Sequence, residues 1–248
     1  MIPAFTDPLP LRHGPALRNR LALAPMANVQ SGADGTVGDD EYRWLTSRAQ
    51  AGFGLVLTTA TWVQASGRGL VGQLGISSDA HVEGLTRLAK GLRAAGSRSA
   101  VQLYHGGRRA MALPGERPVA PWDDEETGAR ALSTGEVEQL VEDFVLAALR
   151  AERAGFDGVE LHGAHGYLLA AFLDTQNNRR TDRYGGSLEN RSRVIREIID
   201  GIRARTGQDF QLGVRISPER WNIDIGEARE LATQLMDCLL YTSPSPRD

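Results

Sequence analysis

Short apolar runs alternate along the chain with longer segments in which apolar residues recur every three or four positions. The short runs are rich in aliphatic residues and favour strands, whereas the longer segments have the period of amphipathic helices. The predicted strands cover residues 21–26, 54–60, 99–105, 158–162 and 211–216. Because each strand is followed by a helical segment, the pattern predicts an α/β fold with a parallel sheet.

The predicted helices have start and stop signals. They cover residues 39–51, 81–95, 133–154, 190–205 and 227–237, and Gly52, Gly96 and Gly155 directly follow the first three. Glycine is the usual residue just past a helix end. Ser133 and Glu136 form the pattern of a capping box, in which each side chain bonds the other's backbone N–H.

Five strand–helix units of roughly 30 residues each account for the chain. A TIM (β/α)8 barrel needs eight such units. Residues 1–237 are therefore expected to be the N-terminal part of an incomplete barrel, with about five of its eight units. The alternative is an open doubly wound sheet. It is less favoured, because Gly32, Gly35 and Gly38 do not give the G-x-G-x-x-G spacing after the first strand.

Residues 238–248 break the pattern. The stretch CLLYTSPSPRD has two prolines, no periodicity and the chain's one cysteine, Cys238. We expect a non-native tail here, and a native disordered terminus is the alternative.

Composition excludes several classes of protein. The formal net charge is −3 and hydrophobic residues make up 41%, so no basic surface predicts nucleic acid or an acidic membrane as partner. No apolar run has the length of a membrane span, and the first residues lack the apolar core of a signal peptide. A single cysteine excludes an internal disulfide. We expect a cytoplasmic protein.

Polar residues cluster at or just past the predicted strand ends. They are Asn28, Thr59 and Thr61, Gln102 and His105, His162 to Tyr167, and Arg215 and Ser217. In a (β/α)8 barrel the C-terminal strand ends form one rim, and active sites are built there. Five successive strands with such residues predict one shared site.

The segment from His162 through His165 to Tyr167 carries the sharpest candidate chemistry. Two imidazoles can donate hydrogen bonds to one oxygen and polarise a carbonyl, and a nearby tyrosine can supply a proton. Two alternatives remain open on spacing alone. The histidines could hold a structural turn, or they could be a zinc pair, although no carboxylate in HGAHGY completes a zinc set.

Four segments in order resemble the old yellow enzyme family. They are NRLALAPM at 19–26, HGAHGYL at 162–168, NRRTDRYGGSLENR at 178–191 and VRISP at 214–218. The resemblance extends from Pro3 to about Asp237. It implies an FMN-dependent oxidoreductase in which NADH or NADPH reduces the flavin, and the flavin N5 then passes hydride to the activated C=C of an α,β-unsaturated carbonyl compound.

The resemblance also implies roles for individual residues. Backbone contacts to the flavin are expected from Ala24, Pro25, Met26, Ala27 and Ala60. Gln102 is similar to the amide that reads the pyrimidine edge, and Arg215 to the guanidinium beside flavin N1 and O2; a buried ion pair is the alternative for Arg215. His162 and His165 resemble the pair that binds the substrate carbonyl, and Tyr167 resembles the proton donor.

The chain also departs from the family's pattern. Ala27 stands where the family often has cysteine or threonine near flavin O4, so the flavin potential is expected to differ. The residues that hold the FMN phosphate in the family belong to its last two strands, which the chain does not reach. No metal ion is expected. Small molecules are the expected partners, with a homo-oligomer possible for the full-length protein.

Other readings remain. The chain could be an inactive barrel fragment, the N-terminal part of an iron–sulfur flavoprotein of the dienoyl-CoA reductase kind, or a metal-dependent barrel hydrolase or lyase. The arginine-rich run at 179–191 could contact phosphate or RNA. Since Asp182 and Glu189 are interleaved with the arginines, we expect instead an ion-paired loop whose Ser187 caps the next helix.

Overall fold

The computed structural model describes residues 4–236. Within them the strands are β1 (Ala22–Leu23), β2 (Leu55–Trp62), β3 (Arg98–Tyr104), β4 (Val119–Ala120), β5 (Arg130–Ala131), β6 (Gly158–Gly163) and β7 (Gln211–Ile216). The helices of four or more residues are α1 (Asp39–Gln50), α2 (Val82–Ala94), α3 (Thr134–Ala154), α4 (Leu168–Leu173), α5 (Leu188–Arg205) and α6 (Ile225–Met236).

Five of these strands form one parallel sheet in the order β1-β2-β3-β6-β7. The order follows the chain in one direction, without the reversal that a doubly wound sheet has at its switch point. The helices pack in the same succession, α1 on α2, α2 on α3 and α3 on α5. This arrangement is that of a barrel wall with its outer helices, and it gives an incomplete barrel rather than an open sheet.

The hydrophobic core lies between the sheet and the helices. Val101 and Leu103 of β3, and Val159 and Leu161 of β6, are buried in it. Alternation along a strand then turns Gln102, Glu160 and His162 to the opposite face, which in a barrel is the interior. The fold therefore separates an apolar face that packs on helices from a polar face that can form a site.

Helix ends match their sequence signals. The Ser133 hydroxyl accepts a hydrogen bond from the Glu136 amide at 3.2 Å, and the Glu136 carboxylate accepts from the Ser133 amide at 2.8 Å. Gly155 ends α3 with φ +92°, a conformation that glycine adopts without steric cost. Thus the capping box and the helix stop predicted from the sequence are both present.

The structure corrects several predicted elements. The first strand has two residues instead of the six at 21–26, in part because Pro25 has no N–H to give to a sheet. The short helix α4 and the pair of β4 with β5 have no counterpart among the predicted elements. The predicted tail at 238–248, including Cys238, lies outside the described residues.

The arginine-rich run is held by contacts inside the fold. Arg180 pairs with Asp182 at 2.5 Å, and Arg191 forms two 2.7 Å contacts with the Glu227 carboxylate. The Ser187 hydroxyl accepts from the Asn190 amide at the start of α5. These contacts support the ion-paired, helix-capping interpretation over phosphate or RNA binding.

Across the helices of residues 4–236, none has both the length and the apolar character needed to cross a membrane.

Candidate functional site

Strand register places the predicted site residues in two adjacent rows on the polar face of the sheet. Ala60, Gln102 and Glu160 are aligned across β2, β3 and β6. Two positions further along, His162 is aligned with Arg215 of β7. Because both rows lie toward the C-terminal strand ends, the fold brings together residues that are up to 155 positions apart in the sequence.

The row nearer the sheet centre contains a buried hydrogen bond from Gln102 Nε2 to Glu160 Oε1 at 2.7 Å. Burial raises the pKa of Glu160, while Gln102 and the positive charge of Arg215 act in the opposite direction. With its –NH2 group donating to Glu160, Gln102 has Oε1 left as the amide atom that can accept from a ligand.

His162, His165 and Tyr167 meet just beyond β6. The ring centroids of His162 and His165 are 4.9 Å apart, and those of His162 and Tyr167 are 5.1 Å apart. His165 and Gly166 have φ values of +60° and +70°, which fold the loop back on itself. The His165 amide also donates to Ser217 Oγ at 3.0 Å, so the loop is fastened to the end of β7.

Burial makes His162 a weak base. Its pKa is lowered to about 3, first by burial and then by the neighbouring His165 and Arg215. The neutral ring accepts a hydrogen bond from the Ala164 amide at Nδ1, at 3.4 Å. Its proton is therefore on Nε2, the nitrogen that lies 3.3 Å from His165 Nδ1.

Two residues of this group are absent from the sequence-based prediction. Tyr104 packs against Tyr167 with centroids 4.6 Å apart, and burial followed by Tyr167 raises its pKa. Arg109 donates to the His165 carbonyl at 2.8 Å and lies 5.2 Å from the Tyr167 ring. Alternation from Gln102 could have placed Tyr104 on the polar face, but no local signal points to Arg109.

The segment from Ala24 to Ala27 follows β1 directly. Since Leu23 is aligned with Val56, near the start of β2, the segment begins beside the N-terminal half of that strand. Its surface is apolar and largely exposed, with Met26 60% exposed. Ala60 follows an irregularity between Leu57 and Ala60 in the pairing of β2 with β3. Such bulges often occur beside active sites, where they redirect side chains.

Within residues 4–236, no group of three or more His, Cys, Asp or Glu side chains is placed to hold a metal ion. The zinc alternative for His162 and His165 therefore gains no support from their surroundings.

Comparison with known proteins decides the family. The sequence profile of the NADH:flavin oxidoreductase / NADH oxidase family matches residues 5–240. The chain belongs to this family. This confirms the resemblance predicted from the four motifs, and membership supports the expected cofactors, FMN and NADH or NADPH.

Individual relatives support this family membership. The chain is 38% identical over 207 residues to NADPH dehydrogenase of Clostridium acetobutylicum, covering 82% of this chain and 61% of that protein. An old yellow enzyme homologue from Zymomonas mobilis superposes with a TM-score of 0.85 at 30% identity, over 95% of this chain and 71% of the other. 2-Naphthoyl-CoA reductase superposes with a TM-score of 0.87 at 30% identity, over 95% of this chain and 39% of that protein.

These comparisons also confirm the incomplete-barrel fold. The chain spans about three fifths of the length of the curated relatives that it matches.

Proposed function

We propose that this family member is an FMN-dependent oxidoreductase that uses NADH or NADPH to reduce the activated C=C of α,β-unsaturated carbonyl compounds. The observation that carries the proposal is the convergence of His162, His165 and Tyr167 at the C-terminal end of β6, beside the row that contains Arg215. A carbonyl polariser, a proton donor and a cation are the groups that such a reaction requires.

The polar side chains of this face suit a flavin. Gln102 Oε1 is the amide atom left to accept a hydrogen bond, which suits the N–H of a pyrimidine edge, and Arg215 brings a fixed positive charge two positions further along. The exposed apolar segment Ala24–Ala27 offers a surface on which a planar ring can pack. When bound, FMN would supply the hydride acceptor and donor of the reaction.

His162 and His165 would hold the substrate carbonyl. Because His162 is neutral and carries its proton on Nε2, it donates a hydrogen bond without bringing a positive charge. His165 accepts at Nδ1 from this group, so its own proton lies on Nε2. When a carbonyl oxygen replaces the contact between the two rings, the Nε2–H groups of both histidines can donate to it, and they stabilise the negative charge that develops there as the C=C is reduced.

Tyr167 would supply the proton to the α-carbon. Its ring contacts both the His162 ring and the Tyr104 ring, and the Arg109 guanidinium lies over it at 5.2 Å. These contacts restrict the orientation of the phenol. A positioned phenol can act as a general acid, with a contribution of roughly 10²–10⁴ to the rate.

The proposal is tested with protein expressed from its complete gene. The purified protein should have the visible absorption of bound flavin, consume NADH or NADPH, and reduce 2-cyclohexenone to cyclohexanone. A colourless protein that binds zinc would contradict it and favour the metal-dependent alternative.

A second candidate is a longer iron–sulfur flavoprotein of the dienoyl-CoA reductase kind. The 2-naphthoyl-CoA reductase match favours it, because that protein is much longer than this chain and yet superposes over 95% of it. A cysteine cluster encoded downstream in the complete gene, together with iron in the purified protein, would distinguish this candidate from the shorter enzymes.

A further inference from the structure

Glu41 is a fully buried carboxyl group in the first turn of α1. Among the described residues, neither of its oxygens has a partner at ordinary hydrogen-bond geometry, and the same holds for the buried hydroxyls of Ser31 and Thr59. Buried polar atoms are almost always satisfied by protein groups or by ordered water. Four unsatisfied oxygens in residues 31–59 therefore need a common explanation.

These oxygens belong to one cluster. Asn28, Thr59 and Ser31 are the side chains that act on the pKa of Glu41, and each lowers it, whereas burial is the larger effect and raises it to about 7. No charged side chain among the described residues contributes. All three side chains therefore lie close enough to the Glu41 carboxyl group to interact with it.

The cluster joins two segments that line the proposed flavin site. Asn28 directly follows Ala27, and Thr59 directly precedes Ala60 in the irregular part of β2. The first segment is not held by the sheet, since β1 ends at Leu23, whereas Ala60 is paired with Gln102 of β3. A contact between Asn28, Ser31 and Thr59 through Glu41 would fix both segments relative to each other.

The loop after β1 also has a strained residue that requires such support. Val29 has φ +49°, a left-handed conformation that is unfavourable for a β-branched side chain. Strained residues persist only where their surroundings determine the backbone from several directions. Here the Ser31 amide donates to the Gly72 carbonyl at 2.9 Å, and Asn28 and Ser31, which both interact with Glu41, lie on either side of Val29 in the chain.

We propose that Glu41 is a positioning residue of the flavin site, whose carboxyl group ties Asn28 and Ser31 to Thr59. This role rests on the proposed function, because only that function makes the two segments part of a flavin site. Glu41 does not contact the reacting groups. Glu41 fixes the position of the backbone at Ala24–Ala27 and at Ala60.

The test compares Glu41→Leu and Glu41→Gln with a control, Thr46→Val, in protein expressed from its complete gene. Thr46 is buried on the same helix, but its hydroxyl bonds only to the carbonyls of that helix. Hydrogen exchange of residues 24–31 is measured without flavin, and the dissociation constant and visible spectrum are measured with FMN.

Glu41→Leu should speed exchange in residues 24–31 by about tenfold, weaken FMN binding by about tenfold and shift the flavin absorption bands. Glu41→Gln keeps hydrogen-bonding atoms and should stay within about threefold of the unsubstituted protein in both measurements. Thr46→Val should match the unsubstituted protein. If Glu41→Leu does not fold, the double variant Ser31→Ala/Thr59→Val removes the partners instead and should loosen the same loop.

Unchanged exchange at residues 24–31 in Glu41→Leu would overturn the inference, as would an equal acceleration throughout α3. Absence of FMN binding by the unsubstituted protein would refute the proposed function instead. The exchange comparison would still decide whether Glu41 positions the loop.

Discussion

The Nε2 atom of His162 lies 3.3 Å from the Nδ1 atom of His165, and this contact sets the protonation of both rings. His162 Nδ1 already accepts from the Ala164 amide, so the shared contact takes the His162 Nε2–H as donor. His165 must then carry its proton on the opposite nitrogen. The pair therefore carries two Nε2–H groups at the end of β6, of which that of His162 faces His165 until a ligand oxygen replaces this contact, and His162 bears no positive charge.

The neutral state of His162 can be observed directly. With a pKa lowered to about 3 by burial, His162 should keep the nitrogen shifts of a neutral ring protonated on Nε2 at both pH 7 and pH 5. Long-range ¹H–¹⁵N NMR spectra of the protein with ¹⁵N-labelled histidine report this state. A ring with both nitrogens protonated at pH 5, assigned by its loss in His162→Asn, would contradict the prediction.

Removal of either imidazole should weaken substrate reduction. His162→Ala and His165→Ala are each expected to lower kcat/KM for 2-cyclohexenone about 10²-fold, because one donor to the developing oxyanion is lost. The control is His13→Ala. His13 precedes Gly14, whose amide contacts Asp209 before the start of β7, and it therefore lies at the other end of the sheet. Equal losses in His13→Ala would show that the effect is not specific to the site.

Tyr167→Phe should separate the two halves of the reaction. Alkene reduction by the reduced protein is expected to slow about 10²-fold because the α-carbon loses its proton donor, while reduction of the flavin by NADPH stays within about twofold. Stopped-flow absorbance measures both steps. Tyr42→Phe is the matched control, because it also removes one phenol hydroxyl, on the outer helix α1 beside Arg87. Equal slowing of both steps in Tyr167→Phe would remove Tyr167 from the role of proton donor.

The sequence predicted most of the barrel wall because its information is local. Apolar periodicity and helix caps located β6, β7 and α3 to within a residue or two, and the sequence predicted Gln102 and His162 at strand ends, where they lie on the polar face of β3 and β6. Residues whose position depends on distant packing could not be found this way. Arg109 reaches His165 across 56 positions, and nothing near Arg109 in the sequence predicts that contact.

The burial of Glu41 also could not be predicted from the sequence. In the sequence it follows Asp39 and Asp40 and reads as one of three acidic residues in the exposed first turn of a helix. Only the tertiary structure shows that Asp39 and Asp40 are exposed whereas Glu41 is covered by the loop after β1 and by the end of β2. A pattern of residue types cannot show which member of such a run faces inward when its polar partners come from other elements.

The ion pair of Arg191 with Glu227 should contribute to stability. Arg191 is buried, donates to the Leu173 carbonyl at 2.6 Å and joins α5 to α6 through Glu227. Arg191→Met leaves the carboxylate without its partner and should lower the free energy of unfolding in urea by about 3 kcal/mol. Arg193→Met breaks a pair with Glu189, which is 77% exposed, and should change it by less than about 1 kcal/mol. Similar losses of unfolding free energy in both variants would contradict a stabilising role of the ion pair between Arg191 and Glu227.

Glu41 should make the protein less stable as the pH rises. Its pKa is about 7 in the folded chain against an ordinary value of 4.5, so between these values the folded state binds more protons than the unfolded state. The stabilisation is therefore complete below about pH 4.5 and is lost as the pH rises through about 7, with a total of about 3 kcal/mol.

Glu41→Gln cannot titrate and should not show this loss. Urea unfolding at pH 5 and pH 8 measures the difference: the gap between the two conditions should be larger in the unsubstituted protein than in Glu41→Gln by up to that amount. Identical pH dependence in the two proteins would mean that Glu41 is ionised and solvated in the folded state, contrary to its burial.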